Sequence, residues 1–360
     1  MGALAALPIA LHPEPRMTAV PPADIDQRPS GAGGLGLLRL VLSEYFVLVL
    51  CVVYLAAIYP FVPEMLSVEV ASNILGDMMP LLVVAIGQTF VLIIAGIDLS
   101  VTAIISFAAV VGASVMTGSG GYLEGSSLAV PGAALAMLAT GLAVGLVNGL
   151  SVTRLNMPSF IVTLATRMFF AGAAIWYVTF HSPSSSIANL PTGFTEFSSA
   201  SVGGIPLTVI VAVLIAIVAH LLLSRTEFGR WIYAVGANPQ AARISGIPVS
   251  RTILMAFLIS GGCAAMASMM YVARMQTGSP ILGENILLDV IGAVVIGGTS
   301  LFGGKGKIVW TVFGVLFLML IDTSMKMLGS SLFTIFIIKG SVILLAATVD
   351  TLRHRFFGRG

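Results

Sequence analysis

Ten apolar runs, most of them near twenty residues long and almost free of charge, occupy the chain from Val41 onward. A helix needs about 20 predominantly apolar residues to cross the hydrocarbon of a bilayer. The runs fall at approximately 41–62, 74–96, 101–117, 128–150, 158–180, 205–224, 252–272, 286–301, 308–328 and 332–350. The third and eighth are short for a full crossing and are expected to be broken or tilted. The runs are continuous, whereas the strands of a transmembrane barrel alternate over about ten residues. The fold class expected is therefore an all-α integral membrane protein of about ten transmembrane helices. Composition agrees: 9% of residues are charged, against about 25% in soluble domains. Such a chain has too few charged side chains to build a water-facing surface.

Lys and Arg set the orientation. With the N-terminus in the cytoplasm, one side collects Arg16, Arg28, Arg39, Arg154, Arg225, Arg230, Arg243, Arg251, Lys305, Lys307, Arg353, Arg355 and Arg359. The other side collects Arg274 and Lys326, together with the acidic residues Glu64, Glu69, Asp77, Glu124, Glu196 and Glu284. Both termini are thus expected inside, with an even number of crossings. Residues 1–36 are rich in Pro and Gly and predict a disordered cytoplasmic tail. Residues 37–352 form the transmembrane domain, and 353–360 a short basic tail. The run Ala3–Leu11 has no positive residue before its apolar stretch and ends at His12-Pro13, which argues against a signal peptide. A net charge of +2 gives no electrostatic case for nucleic acid. Cys51 and Cys263 lie inside apolar runs and read as buried thiols.

The longest inner loop, 225–251, carries Arg225, Arg230, Arg243 and Arg251 around a Gly236-Ala237-Asn238-Pro239 turn. Gln240–Ser245 predicts a short helix, with Asn238 as N-cap, Pro239 at its first position and Gly246 at its end. Spacing alone leaves two readings, an ordinary positive anchor loop or a structured docking element.

Polar groups inside the spans need a partner or a wet cavity, because a charge at mid-membrane costs at least about 2.5–3.5 kcal/mol. The candidates are Gln88, Asn148, Arg167, Thr299, Asp322, Lys326 and Lys339, with Asp98 and Asp289 near span ends. Asp322 and Lys326 stand four apart, on one helix face, and predict an ion pair. Asp98 either caps a helix opening at Ser100 or lines a path. Gln88 and Asn148 either bridge helices or line a path. No phosphate loop, catalytic cluster or metal-ligand spacing is present in the sequence, so no cofactor is expected on this chain. Gly303-Gly304-Lys305-Gly306 lacks phosphate-loop spacing and reads as a tight turn.

Five segments in order resemble the ribose-type permeases of bacterial ABC importers. They are Ala95–Val101 after Gly87-Gln88-Thr89, and Val147–Leu150 followed by Phe160–Leu164. Next comes the inner loop, with Thr226, Gly229, Arg230, Tyr233, Gly236, Asn238, Ala241, Ala242 and Gly246. The last two are Asp289 with Ala293–Gly306, and Lys339–Asp350. The resemblance covers about residues 40–352. It implies a permease homodimer in the bacterial inner membrane, cytoplasmic ATPase subunits carrying ATP hydrolysis, and an extracellular or periplasmic sugar-binding protein. It also implies that the inner loop docks the ATPase. The chain departs from the family pattern at Thr102 and Ala171, and at Asp322–Lys326, where two amides are replaced by charges. A permease for branched-chain amino acids or nucleosides shares the architecture. An ion-coupled carrier would draw on Arg167, Asp322 and Lys326.

Overall fold

The computed structural model describes residues 46–357. Among them the helices are α1 (Phe46–Ile58), α2 (Val68–Ile93), α3 (Val101–Met116), α4 (Ala129–Arg154), α5 (Ser159–Val178), α6 (Thr192–Thr195) and α7 (Leu207–Arg225). They continue with α8 (Glu227–Ala237), α9 (Pro239–Ile244), α10 (Val249–Met275), α11 (Leu287–Ile296), α12 (Ile308–Met327) and α13 (Leu332–Phe357). A small hairpin, β1 (Ser201–Val202) with β2 (Ile205–Pro206), precedes α7. Each of the ten apolar runs holds one helix. Six of these, α2, α4, α5, α7, α10 and α12, are long and apolar enough to cross a membrane. The third and eighth are short as expected: α3 has 16 residues and α11 has 10. The tail expected at 1–36 lies outside the described residues, and α13 runs past 352 to Phe357.

Helix α2 is the axis of the fold. Met78–Ile93 is buried without a break, and α7, α10, α11 and α12 pack against it. Its sequence explains this, since a helix apolar on all faces is surrounded rather than half-solvated. Ser67 opens α2, its Oγ accepting from Val70 N at 3.2 Å. Toward the same end, Asp77 forms an ion pair with Arg274 in the last turn of α10. The two were expected on the same side of the membrane, and they stand together.

Small residues set the tightest crossing, α4 against α10. Gly141, Gly145 and Gly149 recur every four residues on α4. A Cβ on Gly141 would stand 2.3 Å from the carbonyl oxygen of Gly261, and one on Gly145 2.5 Å from that of Phe257. A Cβ on Gly261 would in turn stand 2.2 Å from Gly141 O. In lipid, where apolar side chains gain nothing by leaving solvent, this close backbone approach holds helices together. Gly145→Leu is expected to lower stability by about 1–3 kcal/mol through overpacking, seen as a lower melting temperature of the purified protein. Gly172→Ala is expected to leave it unchanged, because a Cβ there meets nothing within 4 Å.

Candidate functional site

The inner loop is more structured than its sequence suggested. Ahead of the expected short helix stands α8, eleven residues long. Thr226 caps it, its Oγ1 accepting from Gly229 N at 3.2 Å and donating to Leu222 O. Gly229, Ile232, Val235 and Gly236 form its buried face. The helical spacing of these residues was visible in the sequence, but the two glycines masked it, since glycine disfavours helix interiors. Both glycines are there for proximity. A Cβ on Gly229 would lie 2.0 Å from Leu223 O, and one on Gly236 1.8 Å from Ile93 O.

Helix α9 follows as the sequence predicted. Asn238 Oδ1 accepts from Gln240 N and Ala241 N, both at 3.0 Å, Pro239 is its first residue, and Gly246 leaves it at φ 82°. Ala242 is buried, while Ala241, Arg243 and Ile244 face outward. Ile244 is 88% exposed, an apolar side chain presented between Arg243 and Arg251. Arg230 is exposed and reaches Glu227 at 3.6 Å.

The glycine turn at 303–306 is the seat for α8. Gly303 and Gly304 take φ of 83° and 72°, which side chains other than glycine resist. Gly304 N donates to Ile93 O at 2.8 Å, and Tyr233 Oη donates to Gly306 O at 2.6 Å. Burial pushes the Tyr233 phenol above its usual range, so it remains a neutral donor. Ser300 Oγ and Leu301 N both donate to Asp350 Oδ2 at 3.3 Å, joining α13 to the same turn. The end of α2, the loop helices and the turn thus form one junction.

Gln88, Asp98 and Asn148 come together at the break between α2 and α3. Asp98 is fully buried. Its Oδ1 accepts from Ser100 N at 3.0 Å and Ser100 Oγ at 2.6 Å, and its Oδ2 accepts from Ser260 Oγ at 2.8 Å. Asn148 Nδ2 donates to Ser100 Oγ at 2.8 Å and its Oδ1 accepts from Thr166 Oγ1 at 2.8 Å. The Gln88 amide, oriented to match, donates to Asp98 O at 3.1 Å and accepts from Asp98 N at 3.3 Å. Ser159 Oγ accepts from Ile97 N at 3.2 Å, and Thr163 Oγ1 donates to Ile97 O at 3.0 Å. Asp98 does bond the N–H at the start of α3, as a cap would, but the same carboxylate also binds α10. The hydroxyls of Ser260, Thr166, Thr163 and Ser159 carried no signal of their own in the sequence.

The expected Asp322–Lys326 pair is present, but as one arm of a larger network. Lys339 Nζ lies 2.7 Å from Asp322 Oδ1 and 3.0 Å from Asp289 Oδ2, joining α13 to α12 and α11. The Lys339 side chain is 8% exposed and that of Lys326 59%. The simple-pair expectation is corrected for a physical reason: two carboxylates brought close on neighbouring helices need a cation between them, and Lys339 is the buried one. Arg167 and Thr299 join neither network. Thr299 is buried with its hydroxyl unbonded, against Gly306. Arg167 lines a separate cavity.

The family described as branched-chain amino acid transport system / permease component matches residues 70–347. The chain is 35% identical over 316 residues to the ribose import permease protein of Escherichia coli (strain K12), covering 86% of this chain and 94% of that one. It is 37% identical over 270 residues to the ribose import permease protein of Bacillus subtilis (strain 168), covering 74% and 80%. It is 34% identical over 269 residues to the D-allose transport system permease protein of Escherichia coli (strain K12), covering 75% and 79%. No solved structure matches.

Removing the central cation separates the two arms of the charge network. Lys339→Met is expected to cost about 3–5 kcal/mol, because it leaves two carboxylates facing each other. Lys326→Gln, at an exposed site, is expected to cost under about 1 kcal/mol. Adding Asp289→Asn and Asp322→Asn to Lys339→Met should recover most of the loss in thermal unfolding of the solubilised protein. A Lys339→Met loss no larger than that of Lys326→Gln would contradict the assignment.

Proposed function

Since the chain belongs to the branched-chain amino acid transport system / permease component family, we propose that it is the membrane permease subunit of an ATP-driven importer for a monosaccharide or sugar-like solute. The family description names branched-chain amino acids. The sugar reading draws on relatives named for ribose and allose that match over most of their own length. In this reading the chain crosses a bacterial cell membrane ten times with both ends in the cytoplasm, as the distribution of Arg and Lys supports. Residues 1–36 are its cytoplasmic tail and 37–352 its transmembrane domain. The partners are ATPase subunits inside, a sugar-binding protein outside and a second permease copy. ATP hydrolysis belongs to the ATPase subunits, and no cofactor sits on this chain.

The observation that carries the coupling role is the backbone contact of Gly236 with Ile93 O and Gly304. A helix pair resting on the end of α2 and on the turn before α12 without intervening side chains moves as one body with them. Outward-facing Ala241, Ile244 and Arg243 on α9 offer an apolar side chain with a neighbouring positive charge to an ATPase. Force applied there reaches the spans as rigid-body motion. The ion-coupled carrier reading is weakened because Asp322 is engaged by both Lys326 and Lys339.

Co-expressed with its ATPase and binding protein, the chain should co-purify with the ATPase and support ATP-dependent sugar uptake in proteoliposomes. Sodium- or proton-driven uptake by the chain alone would overturn the reading. Gly236→Val is expected to cut uptake at least about tenfold, since an added Cβ strikes a carbonyl. Wild-type uptake in that variant would remove the coupling role from the loop.

A further inference from the structure

A cavity of about 140 Å³ lies between α3, α5 and the segment before α11, and none of its lining residues belongs to either polar network. Four hydrogen-bonding side chains line it, Thr102, Ser106, Arg167 and Glu284, and Ile175 and Pro280 supply apolar wall. Arg167 stands halfway along α5 and has neither an ion pair nor a hydrogen bond among the described residues. Glu284 is likewise without a partner among them and is exposed. The two opposite charges face one cavity without meeting across it.

Arg167 sits where a lone guanidinium is costly in hydrocarbon, so its cavity holds water or a polar solute. The opposite wall is held firmly. Ser106 Oγ accepts from Gly283 N at 3.0 Å, and a Cβ on Gly283 would lie 2.3 Å from Thr102 O. Gly283 therefore lies flat on α3 and fixes the adjoining Glu284 at the cavity. The segment is held again where Gly278 pairs with Ile187. The result is a rigid pocket with a strong donor, a strong acceptor, two hydroxyls and a C–H-compatible wall, and its charges cancel. A neutral polyol matches it, because neighbouring hydroxyls both accept and donate. A net anion or net cation does not.

Resting on the sugar reading above, we infer that this cavity is a polyol-binding subsite on the route of the transported solute. Arg167 donates to one hydroxyl and Glu284 accepts from its neighbour. The site belongs to the permease itself, so it filters the solute a second time after the binding protein has released it.

The test uses the assembled importer in proteoliposomes and reads uptake and ATP hydrolysis together. Arg167→Met and Glu284→Gln are expected to lower sugar uptake at least tenfold while ATP hydrolysis stays within twofold. Ala171, a cavity-lining residue, changed to Cys should react with a membrane-impermeant methanethiosulfonate. Both native cysteines of this chain are buried, so its own background is low. The transported sugar should slow that labelling at least threefold, and a non-transported epimer should not. Wild-type uptake per ATP in both charge variants, or Ala171→Cys labelling indifferent to the sugar, would overturn the subsite. If the intact importer carries a zwitterionic amino acid and no sugar, the sugar reading itself fails. If sugar is imported and the cavity is indifferent to it, only the subsite fails.

Discussion

Hydrocarbon offers no hydrogen bonds, so the backbone N–H and C=O groups within the bilayer must find their partners inside the protein. The break between α2 and α3 is where this constraint presses hardest. Ile97 and Asp98 interrupt the helices, and their backbone groups would otherwise be stranded there. Side chains from α2 and α5 take them over one by one, from Gln88 to Thr163, while Ser260 and Asn148 tie α10 and α4 to the same knot. The arrangement of these helices follows from that requirement, because a hydroxyl supplies a bond only from one position.

Close approach is the second organising device. Along the α4–α10 crossing and at the Gly236 junction, backbone meets backbone with no side chain between. The two contacts serve different ends. The first brings two long helices to van der Waals distance and gains dispersion and stability. The second joins an element outside the apolar spans to the end of the central helix, and its yield is stiffness. Charge plays a more local part: Lys339 reconciles two carboxylates whose helices would otherwise repel.

The number and position of the apolar helices were legible from the sequence, because burial in lipid requires long uninterrupted apolar runs. The cap and stop of α9 were legible for a similar reason, since Asn238, Pro239 and Gly246 each act on their own backbone. Helix α8 was missed because its two glycines answer to Leu223 and Ile93, residues whose proximity is a property of the fold. The Asp98 knot and the role of Lys339 were half legible. Each contains a polar residue conspicuous in an apolar run, yet its partners are serines and threonines of no local distinction, or charges some fifty positions along. Pairwise spacing on one helix found Asp322 with Lys326 and could not find the other two helices.

A junction built from main chain is indifferent to chemistry elsewhere. Ile93, Gly236 and Gly304 meet through a carbonyl, an amide and missing side chains, so nothing in their contact depends on which solute the spans accommodate. In the importer proposed above, the drive and the selector are therefore separable parts of one machine. Walls around its solute could be redrawn freely, and the gearing that moves them would still mesh.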